Sequence, residues 1–193
     1  MREAEIKRKT KETEIIVRVN LDEKKFSNIN IPEGFFLHML ETLARHVNFG
    51  IEIKGKGDIQ IDWHHLGEDT GIVLGKAINK ALSDKAGINR FGWAIVPMDE
   101  ALALVSIDIS GRPYLAYNVE LKSQKIGEFD TEVVKEFFAG FVYGANITLH
   151  INLLTGDNSH HSIEAIFKGF AKALSQAISK TGEKEIPSTK EVL

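Results

Sequence analysis

"DWHHLGE", Asp62 to Glu68, and "NSHHSIE", Asn158 to Glu164, are one motif met twice in a chain of 193 residues. In both, a glutamate follows three residues after a pair of adjacent histidines, and an aspartate or asparagine stands two residues before the pair. A motif repeated half a chain apart calls for a search for a larger repeat. A shift of about 96 residues lays Asp62, His64, His65 and Glu68 on Asn158, His160, His161 and Glu164. It also lays Lys76, Ala77 and Ala81 on Lys172, Ala173 and Ala177. Upstream, "GIEIKG" from Gly50 meets "NITLHI" from Asn146, both alternating as strands do. Each follows an apolar helical stretch, "FFLHMLETLARH" in one half and "TEVVKEFFAGFVYG" in the other.

Each half therefore reads as helix, strand, His-His turn and second helix, with further strands at "TEIIVRVNL", "ALALVSIDIS" and "PYLAYNVEL". The expected class is α+β: two pseudo-equivalent halves from an internal duplication, residues 1–96 and 97–193, packed as one compact body. Ile15, Val17, Val19 and Leu21 alternate as in sheets with one buried face, so each half is expected to be a mostly antiparallel sheet with two helices on one face. In the last helix Ile163, Phe167, Phe170, Ala171, Leu174 and Ile178 make one apolar stripe, which reads as core. "SGRP", Ser110 to Pro113, reads as a hairpin turn.

Composition excludes several functions. A formal charge of −3, with Lys and Arg scattered, offers no field for nucleic acid. No apolar run approaches the roughly 20 residues that span a bilayer, and "MREAEIKRKTKETE" is too charged for a secretory signal, so a cytoplasmic protein is expected. There is no cysteine, hence no thiolate nucleophile and no sulfur ligand, and any metal must sit among nitrogen and oxygen donors.

The doubled motif suits such a metal. Three- and four-residue spacings put Glu68 on a helix face with His64 or His65, and Glu164 with His160 or His161. Adjacent helical residues point about 100° apart, so neighbouring histidines serve one ion poorly, and two metals follow more naturally than one. Each copy would then give one imidazole to each ion. A single such motif more often marks a solvated turn, and it is the duplication at fixed spacing that argues for metal. Imidazole with carboxylate suits Mn, Fe, Zn or Co and argues against the all-oxygen cages of Ca.

The segments "KRKTKETEI", "FFLHMLETLARH", "DWHHLGED", "INRFG", "PMDEALA", "SGRPYL", "TLHINLLTGDNSHHSIEAIFK" and "IPSTK" resemble, in order and spacing, the imidazoleglycerol-phosphate dehydratase family. The resemblance runs from about Lys7 to the C-terminus. It implies an enzyme of histidine biosynthesis that dehydrates imidazole glycerol phosphate to imidazole acetol phosphate. It also implies two duplicated α+β halves, two Mn2+ per active site, and trimers assembled into a 24-subunit shell with sites between subunits. Carried over by position, the metal ligands are His38, His64, His65, Glu68, His160, His161 and Glu164, with Glu136 as an eighth candidate standing where His38 stands in the first half. His46 and His150 have no such support and read as structural.

In the implied reaction two ions grip the nitrogens of the substrate ring, whose electrons expel the neighbouring hydroxyl, and a carboxylate removes the adjacent C–H proton. By resemblance that base is Glu12, which composition alone would leave as a solvated charge. Arg90 and Arg112 follow turns and offer guanidinium forks to the phosphate. Lys168, four residues after Glu164, falls on the ligand-bearing helix face by spacing alone. Ser188 and Lys190 join the phosphate set by resemblance and imply a tail ordered over a site. The chain departs from the family pattern at Leu37, Leu66 and Glu191. Two other classes fit a doubled metal motif: a dinuclear metal hydrolase, and a metal-dependent assembly or storage protein without catalysis.

Overall fold

The computed structural model describes residues 1–32, 34–190 and 192–193. The first half holds β1 (Glu3–Lys9), β2 (Thr13–Asn20), β3 (Ser27–Asn30), α1 (Phe35–His46), β4 (Gly50–Gly57) and α2 (His64–Leu82). The second holds β5 (Phe91–Met98), β6 (Ala101–Asp108), β7 (Tyr114–Asn118), a ribbon of β8 (Lys125–Ile126) and β9 (Phe129–Asp130), then α3 (Val133–Ala145), β10 (Thr148–Thr155) and α4 (Ser159–Ala177). The sheet orders match: β1-β2-β4-β3 in one half, β5-β6-β10-β7 in the other. Each has two antiparallel pairings and one parallel edge strand. The α+β class and the duplicated halves are as expected.

Four details differ from the sequence reading. The division between the sheets falls in the connection from α2 to β5, because a boundary at residues 96 and 97 would cut β5, which pairs with β6 throughout. "SGRP" is a turn but not a hairpin, since β10 lies between β6 and β7. Gly111 supplies its left-handed residue at φ 71°. β10 starts at Thr148, two residues beyond the alignment on Asn146. A slip of two keeps every side chain on its face, which is why the pattern looked the same at either register. Strands β1, β3 and β5 carry too little alternation to be picked out.

Apolar alternation builds the core. Ile15, Val17 and Val19 of β2 and Ala103, Val105 and Ile107 of β6 point inward and are buried. On them lie α2 and α4, and the helices of one half pack on those of the other: α2 on α3, α1 on α4. The two sheets therefore form the outer layers. The α2–α3 seam is made of backbone: a Cβ on Gly71 would lie 2.1 Å from the Phe137 carbonyl oxygen, and one on Gly75 2.3 Å from that of Phe141. From the other side, a Cβ on Gly140 would lie 2.4 Å from the Glu68 oxygen and one on Gly144 2.3 Å from that of Ile72. Contact positions rise together along both helices, so they run parallel and their first turns share one end. The α1–α4 seam is aromatic instead, with Phe35 against the His160 ring at 5.0 Å between centroids.

Candidate functional site

Each helix begins where a candidate ligand is needed. The Asn158 side chain caps α4, its Oδ1 accepting from the His160 N–H at 2.9 Å, and Asp62 accepts the His64 N–H at 2.8 Å ahead of α2. This is the physical role of the acid or amide that opens each motif. Asn158 is the N-cap of α4, whereas Asp62 stands one residue ahead of Trp63, the N-cap of α2, and holds the first N–H of that helix.

Across the α1–α4 seam, His38, His160 and Glu164 bring one potential ligand atom each within 4.8 Å of one another, the one such group among the described residues. Glu164 is the hub. Its Oε2 lies 3.3 Å from Nε2 of His38 and 3.2 Å from Nε2 of His160, while Oε1 meets the Lys168 ammonium at 2.8 Å. Burial alone would push this carboxyl up, but Lys168 and His38 hold it below the ordinary glutamate range. Ligand atoms around an ion with bonds of about 2.1 Å sit about 3.0 Å apart at right angles and about 3.4 Å apart in a tetrahedron. The spacings at Glu164, 3.2 and 3.3 Å, fall between. Two imidazoles and a carboxylate gathered within 4.8 Å offer the nitrogen and oxygen donors that a first-row divalent ion takes.

The adjacent histidines diverge, with the rings of His160 and His161 6.2 Å apart at 76° and those of His64 and His65 5.9 Å apart at 89°. His161 turns to Glu100, its Nδ1 2.9 Å from Oε2, and His65 turns to Asp58 at 3.0 Å. A carboxylate only accepts, so Nδ1 is the donor in each pair and Nε2 is the nitrogen left for a metal. Both imidazoles are thereby pushed above the usual histidine range: His161 by its hydrogen bond to Glu100, His65 by that to Asp58 and then by the charge of Glu12. Glu100 is drawn down to about 2, first by its bond to His161. Asp58 and Glu100 escaped the sequence reading: Glu100 lies 61 residues from His161, and Asp58, only seven residues before His65, has no spacing that marks it as a partner. The signal was present for Glu100, which stands in "PMDEALA".

On the α2–α3 side, Glu136 lies in the first turn of α3, one turn ahead of Gly140 where that helix rests on the Glu68 carbonyl. It thus sits beside the start of α2, which bears His64 and Glu68, as His38 sits beside the start of α4. Glu12 is exposed at the β1–β2 turn, in an open groove shared with Lys9, Lys56 and Asp58.

The proposed phosphate cations do not converge within one chain. Arg90 binds Asp108 through Nε at 2.7 Å and the Pro187 carbonyl at 2.8 Å, and exposed Arg112 reaches the same Asp108 at 4.0 Å. Pro187 brings the tail with Ser188, whose Oγ accepts from the Lys190 N–H at 3.2 Å. Lys168 instead touches Met98, at the far end of β5 from Arg90. An eight-residue strand separates them, roughly 25 Å. His150 is exposed on the outer face of the second sheet beside Tyr114, and His46 lies half-buried near Lys172, pushed below its usual range by burial first. Leu66 is fully buried and Leu37 packs against the core, so both departures are apolar contacts. Glu191 lies outside the described residues.

The family model described as imidazoleglycerol-phosphate dehydratase matches residues 32–174. Among relatives, the imidazoleglycerol-phosphate dehydratase of Thermodesulfovibrio yellowstonii is 54% identical over 193 residues, covering 100% of both chains. That of Azorhizobium caulinodans is 52% identical over 195 residues, covering 100% of this chain and 99% of its own. The crystal structure of imidazoleglycerol-phosphate dehydratase from Staphylococcus aureus superposes with a TM-score of 0.83 at 41% identity, over 93% of this chain and 99% of that one. IGPD from Pyrococcus furiosus in complex with (S)-C348 also superposes at 0.83, with 39% identity, over 97% of this chain and 100% of that one.

Proposed function

The chain belongs to the imidazoleglycerol-phosphate dehydratase family, and from that premise we propose how its residues divide the work of the reaction. It is a hydro-lyase of histidine biosynthesis, converting D-erythro-imidazole glycerol phosphate to imidazole acetol phosphate and water. Two Mn2+ ions per active site would be held by His38, His64, His65, Glu68, Glu136, His160, His161 and Glu164. Bound there, the ions would supply Lewis-acid charge to the imidazole ring of the substrate. The observation that carries this reading is the set of His38, His160 and Glu164, whose potential ligand atoms gather within 4.8 Å of one another.

The remaining work falls to the protein's own groups. Asp58 and Glu100 keep Nδ1 of His65 and His161 protonated and Nε2 free. Glu12 is the base that takes the C–H proton. Its side chain has no hydrogen-bonding partner among the described residues, which leaves it free to do so, unlike Glu100 in the other half. Arg90, Arg112, Lys168, Ser188 and Lys190 hold the phosphate. Because Lys168 and Arg90 lie at opposite ends of β5, this set is completed by a second copy of the chain.

Assembly, which we take to be a 24-mer of trimers working in the cytoplasm, is supported by the outer faces of the sheets. The first sheet shows solvent Glu5, Lys7, Arg18, Lys54 and Lys56, whereas the second shows Phe91, Trp93, Ile95 and Tyr114 at the equivalent face. The test is a dehydration assay on chelator-stripped enzyme with and without Mn2+, alongside a count of bound metal. Activity that returns with Mn2+ at two ions per site is expected; full activity in the stripped enzyme would sink the metal reading. Glu136→Gln with unchanged metal stoichiometry and affinity would strike that residue from the ligand set.

A further inference from the structure

Glu12 and Glu100 occupy the same place in the two halves, each immediately before the second strand of its hairpin: Thr13 opens β2 and Ala101 opens β6. The strand registers agree, with Val17 opposite Ile53 in one half and Val105 opposite Ile151 in the other. Yet the turns are held by different means. Glu100 is fixed by its own carboxylate, which accepts from the Asn158 N–H at 2.8 Å and from His161. The Glu12 carboxylate has no such anchor, and its turn is held from below.

The anchor is Asp69, the residue after Glu68 on α2. Its Oδ2 accepts from the Thr13 hydroxyl and its Oδ1 from Nε of Arg8 at 2.8 Å. A carboxylate only accepts, so the direction of the whole chain is set. Thr13 spends its proton on Asp69, Thr10 therefore donates to Thr13 across 3.3 Å, and the Thr10 oxygen accepts the backbone N–H groups of Glu12 at 3.0 Å and Thr13 at 2.9 Å. A buried charge on the metal-bearing helix is thus wired to the backbone of the base.

The duplication supplies an internal control. Arg8 pairs with Ile15 as Val96 pairs with Ala103, so Arg8 corresponds to Val96, Thr13 to Ala101 and Asp69 to Ala165. The second half packs the same place with Val96, Ala101 and Ala165, of which the two alanines are fully buried. The fold does not require the polar trio, and burying a carboxylate is costly.

We propose that Asp69 is a positioning residue that, through Thr13, Thr10 and Arg8, holds the β1–β2 turn so that Glu12 meets the substrate. The proposal rests on the reading of Glu12 as the base. It is tested by giving the first half the residues of the second, in the triple variant Arg8→Val, Thr13→Ala and Asp69→Ala, measured as the assembled, Mn2+-loaded enzyme. The expected result is unchanged bound Mn2+, Tm and KM, faster amide hydrogen exchange at Glu12 and Thr13, and a kcat lower by about 100-fold. Asp69→Asn, which keeps an acceptor for Thr13, recovers part of the loss. Wild-type kcat in the triple variant overturns the proposal, and so does loss of Mn2+ in step with kcat, which would make Asp69 a support of the metal site. Should the triple variant fail to assemble, Thr13→Val removes only the hydroxyl, and the same outcomes decide. Glu12→Gln, run in parallel, is expected to lose about 10²- to 10⁴-fold in kcat. If it keeps its rate, the base reading falls and the positioning role with it; if it loses its rate while the triple variant does not, the positioning role alone falls.

Discussion

At the scale of single residues, the candidate site depends on which proton sits on which nitrogen. Glu100 stabilises the protonated form of His161 and so raises its pKa above the ordinary histidine value. A metal ion must displace that proton, so Mn2+ affinity is expected to fall as pH drops through the raised value and below it. Glu100→Gln removes the cause: the fall should move to lower pH, while affinity at high pH weakens by about 10- to 100-fold as the ring loses its orientation. Mn2+ titrations between about pH 6 and 8 read both effects, and an unshifted curve would deny Glu100 the role. His160 and Glu164 were legible in the sequence because helical spacing alone puts them on one face. Their meeting with His38 rested on resemblance; Glu100 and Asp69 act across 61 and 56 residues that only the packing closes, and Asp58, seven residues before His65, has no spacing signal of its own.

At the scale of elements, close packing decides what the sequence tolerates. Gly71 sits mid-helix where alanine would be the better helix former by about 1 kcal/mol, but the added Cβ would fall 2.1 Å from the Phe137 oxygen. Gly71→Ala is therefore expected to destabilise, by about 1–3 kcal/mol, with a lower Tm in a thermal melt. A second junction ties the start of β1 to the end of α4. Asp22 accepts from the Arg2 backbone and Nε, both at 2.9 Å, and meets Lys180 at 2.9 Å, while Arg2 also donates to the Ile178 carbonyl. Burial raises the Asp22 carboxyl, but these donors outweigh it and leave the group far below the usual aspartate range. A depressed pKa means stability that is complete above about pH 4 and is lost as pH falls through the folded value. Asp22→Asn should cost about 1–3 kcal/mol at pH 7 and flatten the acid limb of the stability curve followed by denaturant titration. The helices and β2, β4, β6 and β10 could be read from periodicity. β1 could not, because its outer face is charged and its inner face mixes Ala4 and Ile6 with Arg8; nor could β5, which is apolar on both faces and so has no alternation to detect.

At the scale of the whole molecule, the two halves share one plan but meet different surroundings. Trp93 is 63% exposed and Ile95 50% exposed on the face where the first sheet shows lysines and glutamates. So much apolar surface on one face is what the proposed assembly would cover. Trp93→Lys with Ile95→Lys is expected to yield a smaller species by light scattering, with the helical signal of the fold intact; an assembly of unchanged mass would exclude this face. The duplication and the class of fold were in the sequence, but the separation of Lys168 from Arg90 was not, because only the course of β5 sets them at its opposite ends.

The parallel pair α2 and α3 touches backbone to backbone at Gly71, Gly75, Gly140 and Gly144. No flexible side chain lies between those strips to absorb a slide, so the two helices must travel as one rigid strut. A displacement of α3 would then pass straight to the Glu68 backbone, and with it to the end of α2 that carries His64 and His65.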